Sequence, residues 1–295
     1  MIYPSPELLI VSQNLSPASV QTAAEIEGKK LIDQHYGSLA QLAMDTEPSE
    51  LALSEGALAD FENTYGLPWS EALPSTLKNP AALQALKVDG SELERLWRGG
   101  LQLKLAPGTY VSRLDRPGEE PMYTLNGFYP AMRQAFVEEG ASVRYMVCEF
   151  DASRTSWKAF RRQVIGATDP SEASAGSCRA ELLSRYKELG LSEEPSMKLN
   201  GVHASAGPLE GLKERCVWAG ATLATDELAQ RLMAEGGVSE ATLESWLAEN
   251  PVVTLGGETD KIFDLTEEMD CEEVLQLCKG ASSGRYEYKA AQEIY

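Results

Sequence analysis

Hydrophobic and polar positions change their spacing several times along this chain, and each change predicts a different kind of element. Residues 6–12 form a short apolar run with the length of a strand. Residues 20–44 consist mostly of good helix formers without an interrupting proline, which indicates helix. Proline and glycine then divide residues 45–100 into short pieces with helical spacing. The first hundred residues therefore predict a mixed start followed by a helical region.

Strand patterns are concentrated in the middle of the chain. Residues 101–125 alternate apolar and polar positions around Pro-Gly turns, which predicts a hairpin. Residues 141–150, ASVRYMVCEF, are rich in Val, Tyr, Met and Phe and predict a buried strand. Apolar residues between Trp157 and Ile165 then repeat at helical spacing. A strand followed by an amphipathic helix points to an α/β or α+β core.

The segment after Ala219 is predicted to be a helical extension. Three stretches have helix composition, and Ser239 and Asp270 are suitable N-caps for the second and third of them. Gly280 is expected to end the last helix. The acidic run at 266–273, TEEMDCEE, fits no EF-hand loop, and we expect it to be a solvated helix face.

Charge and cysteine content restrict the classes of function. A net charge of −19 argues against electrostatic attraction to nucleic acid or to an anionic membrane. The chain has no run of about 18 apolar residues, and no basic region precedes its N-terminal apolar run, so neither a membrane span nor a secretory signal is predicted. The five cysteines form no CxxC pair, which favours reduced thiols. We therefore expect a soluble cytoplasmic protein whose partners include neither nucleic acid nor membrane.

His203, one of two histidines in the chain, lies in a loop of small residues, NGVHASAG, directly before Pro208. Proline is favoured at the first position of a helix, so the pattern predicts a helix that begins at Pro208. The N-terminal end of a helix carries partial positive charge and unpaired N–H groups, which suit a phosphate. A single histidine is more often structural than catalytic, so its assignment depends on the residues around it.

Two arginines flank the turn GATDP at residues 166–170. Arg162 ends the preceding predicted helix, and Arg179 lies in the first turn of the next one. They are either solvated surface groups paired with local carboxylates or ligands of an anion, for which a guanidinium is well shaped. With His203 and the hydroxyl of the turn, they would make a phosphoryl-transfer site.

The order of these motifs resembles the C-terminal half of the nucleoside diphosphate kinases. The shared features are Arg162, GATDP, GSCR ending in Arg179, NGVHAS, and Glu214 with Trp218 on the following helix. The upstream run NGFYPAMRQAFVEEGASVRYMVCEF is similar to the family's paired aromatics, short helix and central strand. The resemblance is strongest over residues 125–219 and is that of a diverged member with large insertions.

The resemblance implies that His203 carries the phosphoryl group, while Ser205 and Glu214 orient its ring for attack. The other matching residues would contact the nucleotide. They are Arg162, Thr168 and Arg179 at the phosphates, Asn200 at the sugar and phosphate end, and Phe128 or Tyr129 under the base. For the two aromatic residues, simple core packing is the alternative.

The sequence also departs from the family's pattern. The family's N-terminal strand ends in Lys-Pro-Asp-Gly, and the lysine touches the transferring phosphate, but the matching run LLIVSQNLSPASV contains no lysine. Ala204 and Ala206 replace the family's Gly and Asp beside the histidine. One phosphate contact is therefore missing, and we expect weak turnover.

From the resemblance we expect an α/β (α+β) fold: a ferredoxin-like antiparallel sheet sandwich of the nucleoside diphosphate kinase type with added helical segments. Its expected parts are an N-terminal strand and helix of the core (1–44), a mainly helical insertion ending in a hairpin (45–122), a kinase-like core with the histidine site (123–219) and a helical C-terminal extension (220–295).

The expected activity is phosphotransfer from a nucleoside triphosphate to a nucleoside diphosphate through a phosphohistidine at His203. Mg²⁺ is implied as an ion carried by the nucleotide, without a metal site formed by the protein alone. Because family members form homo-oligomers, the resemblance implies a homo-oligomer, or a protein assembly formed through the helical additions. The alternative is a catalytically inactive kinase-like protein that binds nucleotide or serves as a scaffold.

Overall fold

The computed structural model describes residues 14–15, 19–106, 108–115, 118, 120–197 and 199–282. The strand predicted at 6–12 lies outside the described residues. The described chain divides into two compact units. We call residues 14–31 with 136–282 the histidine unit, because they include His203, and residues 32–135 the inserted unit.

The secondary structure is mixed, with many short elements. The strands are β1 (Asn14–Leu15), β2 (Ser19–Thr22), β3 (Thr76–Leu77), β4 (Leu101–Ala106), β5 (Thr109–Leu114), β6 (Met122–Leu125), β7 (Ser142–Tyr145), β8 (Cys148–Glu149), β9 (Val252–Leu255) and β10 (Glu258–Lys261).

The helices account for more of the chain than the strands do. They are α1 (Ala23–Gly28), α2 (Leu31–Tyr36), α3 (Ser38–Met44), α4 (Glu55–Tyr65), α5 (Trp69–Ala72), α6 (Asn79–Leu86), α7 (Gly90–Gly99), α8 (Tyr129–Val137), α9 (Trp157–Ala159), α10 (Cys178–Arg185), α11 (Pro208–Ala219), α12 (Glu227–Ala234), α13 (Glu240–Glu249), α14 (Ile262–Leu265) and α15 (Cys271–Ser282). A π-helical turn, Phe160–Ile165, continues α9, and 3-10 turns cover Pro48–Glu50, Leu73–Ser75 and Pro170–Glu172.

The inserted unit is built on a four-stranded sheet with the strand order β3-β6-β5-β4. β4 and β5 form the hairpin that the alternation at 101–125 predicted. β6 adds a third antiparallel strand, and β3 is parallel to β6. Successive residues of a strand point to opposite faces. Tyr123 accordingly packs with Phe61 of α4, whereas Met122 packs with Leu93 and Trp97 of α7. The sheet is therefore covered by helices on both faces.

The histidine unit has two-stranded pairings only, among the residues that the structure describes: β1 with β8, β2 with β7, and β9 with β10, all antiparallel. Its largest core lies instead between helices. Leu209 and Leu212 of α11 pack in one buried cluster with Leu232 of α12 and Trp246 of α13. The C-terminal extension thus shares a core with the helix that follows the histidine loop.

Several sequence predictions are confirmed at the level of elements. α11 begins at Pro208, and α12 and α13 form where helices were predicted. The Ser239 side chain caps α13 by accepting a hydrogen bond from the Thr242 N–H at 3.1 Å. These features depend on residues close together in the chain, which is why the sequence pattern reveals them.

Other predictions are wrong. Residues 19–22 form β2 rather than the start of a helix, because they pair with β7, where Val20 faces Arg144. α15 continues past Gly280 to Ser282. The hairpin of β9 and β10 interrupts a region predicted to be entirely helical. Its turn residues Gly256 and Gly257 have φ of 61° and 86°, the left-handed values that a tight hairpin turn requires.

The mixed α/β class is therefore correct, with many helices and small mixed and antiparallel sheets. The ferredoxin-like arrangement of the kinase type stays a prediction. Across the described residues, no helix combines the length and the apolar character that crossing a bilayer requires.

Candidate functional site

The candidate site lies where the loop at 200–207, the histidine loop, leads into α11. Gly207 precedes the helix in an extended conformation, and Pro208 occupies the first helical position. This start leaves no side chain at Gly207 to cap the helix. The loop itself lies against Trp157, whose indole Nε1 donates to the Ser205 carbonyl at 2.9 Å.

His203 and Glu214 form the central contact of the site. The ring nitrogen Nε2 of His203 lies 2.6 Å from Oε1 of Glu214, which is on the second turn of α11. The other carboxylate oxygen, Oε2, accepts a hydrogen bond from the Ser205 hydroxyl. The histidine side chain is 45% exposed, whereas Glu214 is only 16% exposed. A largely buried carboxylate therefore orients an accessible imidazole.

The pKa of His203 is raised above its ordinary value of 6.5. Desolvation by the surrounding protein opposes the charged ring, but the hydrogen bond that the ring donates to Glu214 and the negative charges of Glu214 and Glu210 outweigh it. Arg179 acts in the opposite direction, as a nearby positive charge. The ring consequently holds its proton to a higher pH than an exposed histidine does.

Glu210 is a member of the site that the sequence did not single out. It lies on the first turn of α11, and its carboxylate accepts a hydrogen bond from the Ala206 N–H. Burial and the neighbouring charge of Glu214 raise its pKa. Its position three residues after Gly207 is the one from which a glutamate reaches back to the start of a helix, and this is the signal that could have revealed it.

Arg179 braces the histidine loop. Its Nη2 donates to the Val202 carbonyl at 2.7 Å, and its Nη1 donates to the Gly166 carbonyl at 2.8 Å. The guanidinium thus links the residue before His203 to the turn at 166–170. Burial lowers the pKa of Arg179, and the positive charge of Arg161 adds to this effect.

Asn200, at the start of the histidine loop, also contacts the turn at 166–170. Its Nδ2 donates to the carbonyl oxygens of Thr168 at 3.3 Å and of Met197 at 3.4 Å. Thr168 is exposed. Asn200 and Thr168 therefore lie where the turn at 166–170 meets the histidine loop.

Arg162 has a carboxylate partner. Its Nε and Nη2 each lie 3.0 Å from an oxygen of Glu268, and 64% of its side chain is exposed. The neighbouring Arg161 is less exposed, at 26%, and its Nη1 lies 2.7 Å from Glu267. The two arginines belong to the π-helical turn and contact a part of the chain that is 106 residues away.

The acidic segment (266–270) supplies these carboxylates, and it is a loop that lies against the histidine loop rather than part of the solvated helix face that we expected over 266–273. Only residues 271–273 of that run belong to a helix, α15, with Glu272 and Glu273 exposed. The Glu268 N–H donates to the Ala206 carbonyl at 2.9 Å. A Cβ on Gly207 would come within 2.4 Å of the Thr266 carbonyl oxygen, so only glycine fits there. The Asp270 carboxylate accepts a hydrogen bond from the Trp157 N–H at 2.6 Å.

Phe128 and Tyr129 lie in the inserted unit and pack as core residues do. Phe128 makes an edge contact with Trp97, with ring centroids 5.3 Å apart. Tyr129 is fully buried, and its hydroxyl donates to Asp33 at 2.6 Å. These contacts fit the core-packing alternative, and a role beneath a nucleotide base stays a prediction for both residues.

The thiols offer no activated nucleophile near this site. Burial raises the pKa of Cys178 and of Cys148, so both are poor thiolates near neutral pH. All five cysteines are unpaired.

The arrangement as a whole can present an imidazole to a reactant. The ring is oriented by Glu214 and flanked by small residues. The acidic segment that touches its loop is paired with Lys158 of α9 and with Arg161 and Arg162 of the π-helical turn. Comparison with protein-family models, with curated proteins and with solved structures gave no match.

Proposed function

We propose that this protein transfers the γ-phosphoryl group of a nucleoside triphosphate to a nucleoside diphosphate through a phosphohistidine at His203. One observation carries the proposal: the hydrogen bond of 2.6 Å between His203 Nε2 and Glu214, which is itself held by Ser205. A carboxylate that fixes one ring nitrogen orients an imidazole for nucleophilic attack.

Because Nε2 is engaged by Glu214, we assign the attack to Nδ1. Its lone pair would form a bond to the γ-phosphorus, while the bond from that phosphorus to the bridging oxygen breaks and the nucleoside diphosphate leaves with the electron pair. The Nε2 proton would stay in its hydrogen bond with Glu214 throughout. In the second half-reaction, a terminal oxygen of another diphosphate takes the phosphoryl group and restores neutral His203.

The proposed substrate is a complex of the nucleotide with Mg²⁺, in which the ion stays with the phosphates. Arg162, Arg179 and Thr168 would share the phosphate charge, and Asn200 would bind the sugar and phosphate end. Arg179 already uses two N–H groups on backbone carbonyls, so we propose that it both braces the loop and faces the phosphates. For Arg162, phosphate binding requires that Glu268 give way.

Turnover is expected to be weak, because the lysine of the family's N-terminal strand has no counterpart in the sequence. Loss of one preorganised contact to a transferring group costs about 10²–10³ in rate. We also propose, from the resemblance alone, the ferredoxin-like core and an assembly into homo-oligomers or with other proteins.

The test is incubation of the purified protein with Mg²⁺ and γ-labelled ATP, followed by intact-mass analysis. We expect one acid-labile phosphate per chain, which added nucleoside diphosphate discharges. His203→Ala should lose this adduct, whereas His35→Ala, which removes the other histidine, should keep it. An adduct that survives in His203→Ala, or its absence from the wild type, would contradict the proposal.

A second candidate is a kinase-like protein that binds nucleotides without turnover. The ion pairs of Arg161 and Arg162 with Glu267 and Glu268 favour it, since they occupy groups that a phosphate would need. Saturable binding of labelled ADP without any phosphohistidine would support this candidate over the first.

A further inference from the structure

Lys158, Arg161 and Arg162 converge on a single carboxylate. Glu268 lies 3.0 Å from Arg162, 3.6 Å from Arg161 and 3.7 Å from Lys158, and only 20% of its side chain is exposed. Glu267 adds a second carboxylate at 2.7 Å from Arg161. Three basic side chains around a pair of carboxylates have the charge distribution of a site for a polyanion.

The acidic segment is held in this place by its backbone as well as by its charges. Glu268 donates its N–H to the histidine loop, and its φ of 59° lies in the left-handed region, which costs a residue with a side chain about 1–2 kcal/mol. Glycine would adopt this conformation without that cost. The site retains a carboxylate at a position whose backbone favours glycine.

We infer that Lys158, Arg161 and Arg162 form a polyphosphate-binding site that the carboxylates of Glu267 and Glu268 mask, so that a polyphosphate ligand must displace the acidic segment in order to bind. The masking deepens the proposed function, on which it rests for the identification of the ligand as a nucleotide polyphosphate. The acidic segment touches the histidine loop directly, so its displacement also uncovers the loop that carries His203.

The mask acts by competition. Each exposed ion pair is weak, but Glu268 belongs to a network of three basic groups, and removal of both carboxylates frees all of them together. The proposal therefore predicts that Glu267→Gln/Glu268→Gln binds polyphosphate more tightly than the wild type. Glutamine keeps the size of each side chain and leaves the backbone hydrogen bond of residue 268 in place.

The probe is inorganic tripolyphosphate, titrated by calorimetry at low ionic strength, where charges are little screened. We expect Glu267→Gln/Glu268→Gln to bind about tenfold more tightly than the wild type, as the loss of several weak pairs implies. Additional replacement of Arg161 and Arg162 by Gln should abolish the gain. Circular dichroism and the melting temperature identify any variant that fails to fold.

A matched control separates masking from the general loss of negative charge. Glu235→Gln/Glu272→Gln also removes two carboxylates that are paired with one arginine, Arg231, at 2.9 Å and 2.5 Å in the same unit. It should leave tripolyphosphate affinity within about twofold of the wild type. Equal affinity of the wild type and Glu267→Gln/Glu268→Gln, or an equal gain in the control, would overturn the masking.

The phosphohistidine assay on the same variants keeps the two proposals apart. Tighter tripolyphosphate binding without any phosphohistidine would reject the transfer reaction while the mask stands. Phosphohistidine formation together with unchanged tripolyphosphate affinity would reject the mask while the transfer reaction stands.

Discussion

The contact between His203 and Glu214 determines which form of the imidazole is present at a given pH. The nucleophile in the proposed reaction is the neutral ring, but Glu214 and Glu210 favour the protonated ring and raise its pKa above 6.5. Orientation and basicity therefore come from the same carboxylate. Because Glu214 raises the pKa of His203, a smaller fraction of the ring is neutral near pH 7.

We expect Glu214→Gln to lower the pKa of His203, because the variant loses the charge that stabilises the imidazolium. In the wild type, phosphohistidine formation should increase as the pH rises through the raised pKa, since the neutral ring forms there. In the variant, the increase should occur at lower pH and reach a lower plateau, because the neutral amide is a weaker acceptor and its NH2 group can donate to Nε2, which favours the tautomer with the proton on Nδ1.

Proton NMR titration of the ring measures this pKa directly, and His35→Ala leaves only the signal of His203. Glu240→Gln, an exposed glutamate on α13, serves as the control and should leave the pKa unchanged. If the His203 ring has the same pKa in Glu214→Gln as in the wild type, the carboxylate of Glu214 does not set the basicity of the ring.

Local sequence signals correctly predicted helices α11 and α13. Ser239 and the spacing of apolar residues after it predicted α13, and the helix forms with Ser239 as its N-cap. The same reasoning placed Pro208 at the start of α11. Both predictions rest on interactions among residues a few positions apart, which act whatever the rest of the chain does.

Ser239→Ala should lower the free energy of unfolding by about 1 kcal/mol, because the Thr242 N–H loses its hydrogen-bond acceptor. Urea denaturation followed by circular dichroism measures the change. Ser245→Ala in the middle of the same helix is the control, and we expect an effect within about 0.5 kcal/mol. Similar losses in both variants would argue against a specific cap.

Strands and irregular helices were harder to predict than caps. Residues 19–22 have a composition compatible with helix, but their pairing with β7 makes them a strand, and that partner lies more than a hundred positions away in the sequence. The apolar spacing at 157–165 predicted a helix, but it does not distinguish the π-helical turn after α9 from an α-helix. Pairing and packing outweigh propensity in such segments, because propensities differ by less than about 1 kcal/mol per residue.

Net charge affects the molecule as a whole. With 45 acidic and 26 basic residues, like charges repel one another in the folded state, and salt screens this repulsion. We expect the melting temperature to rise by about 2–4 °C between about 0.01 M and 0.5 M NaCl, a gain of about 1 kcal/mol. Surface ion pairs weaken over the same range, but each contributes little.

Differential scanning calorimetry measures this salt effect. Glu193→Gln/Glu194→Gln removes two exposed charges and should show a smaller increase with salt than the wild type. A melting temperature that falls as NaCl is added would mean that specific ion pairs outweigh the general repulsion.

The candidate site combines residues that the sequence could identify with residues that it could not. His203, Ser205 and Glu214 lie within one short stretch, and the family resemblance implied that the carboxylate orients the ring. Glu267 and Glu268 are too far along the chain for any spacing rule to pair them with Arg161 and Arg162. An acidic run also looks alike in sequence whether it faces solvent or an arginine.

The sequence by itself determined the mixed composition of elements, the helix capped by Ser239 and the hairpin at 101–125, because each depends on neighbours in the chain. The pairing of His203 with Glu214 was expected from the family resemblance. Only the tertiary structure decided that the extension shares a core with α11, that Arg179 braces the histidine loop and that the acidic segment contacts Lys158, Arg161 and Arg162. These contacts join distant residues, whose closeness is set by the burial of apolar side chains between helices and not by any local pattern.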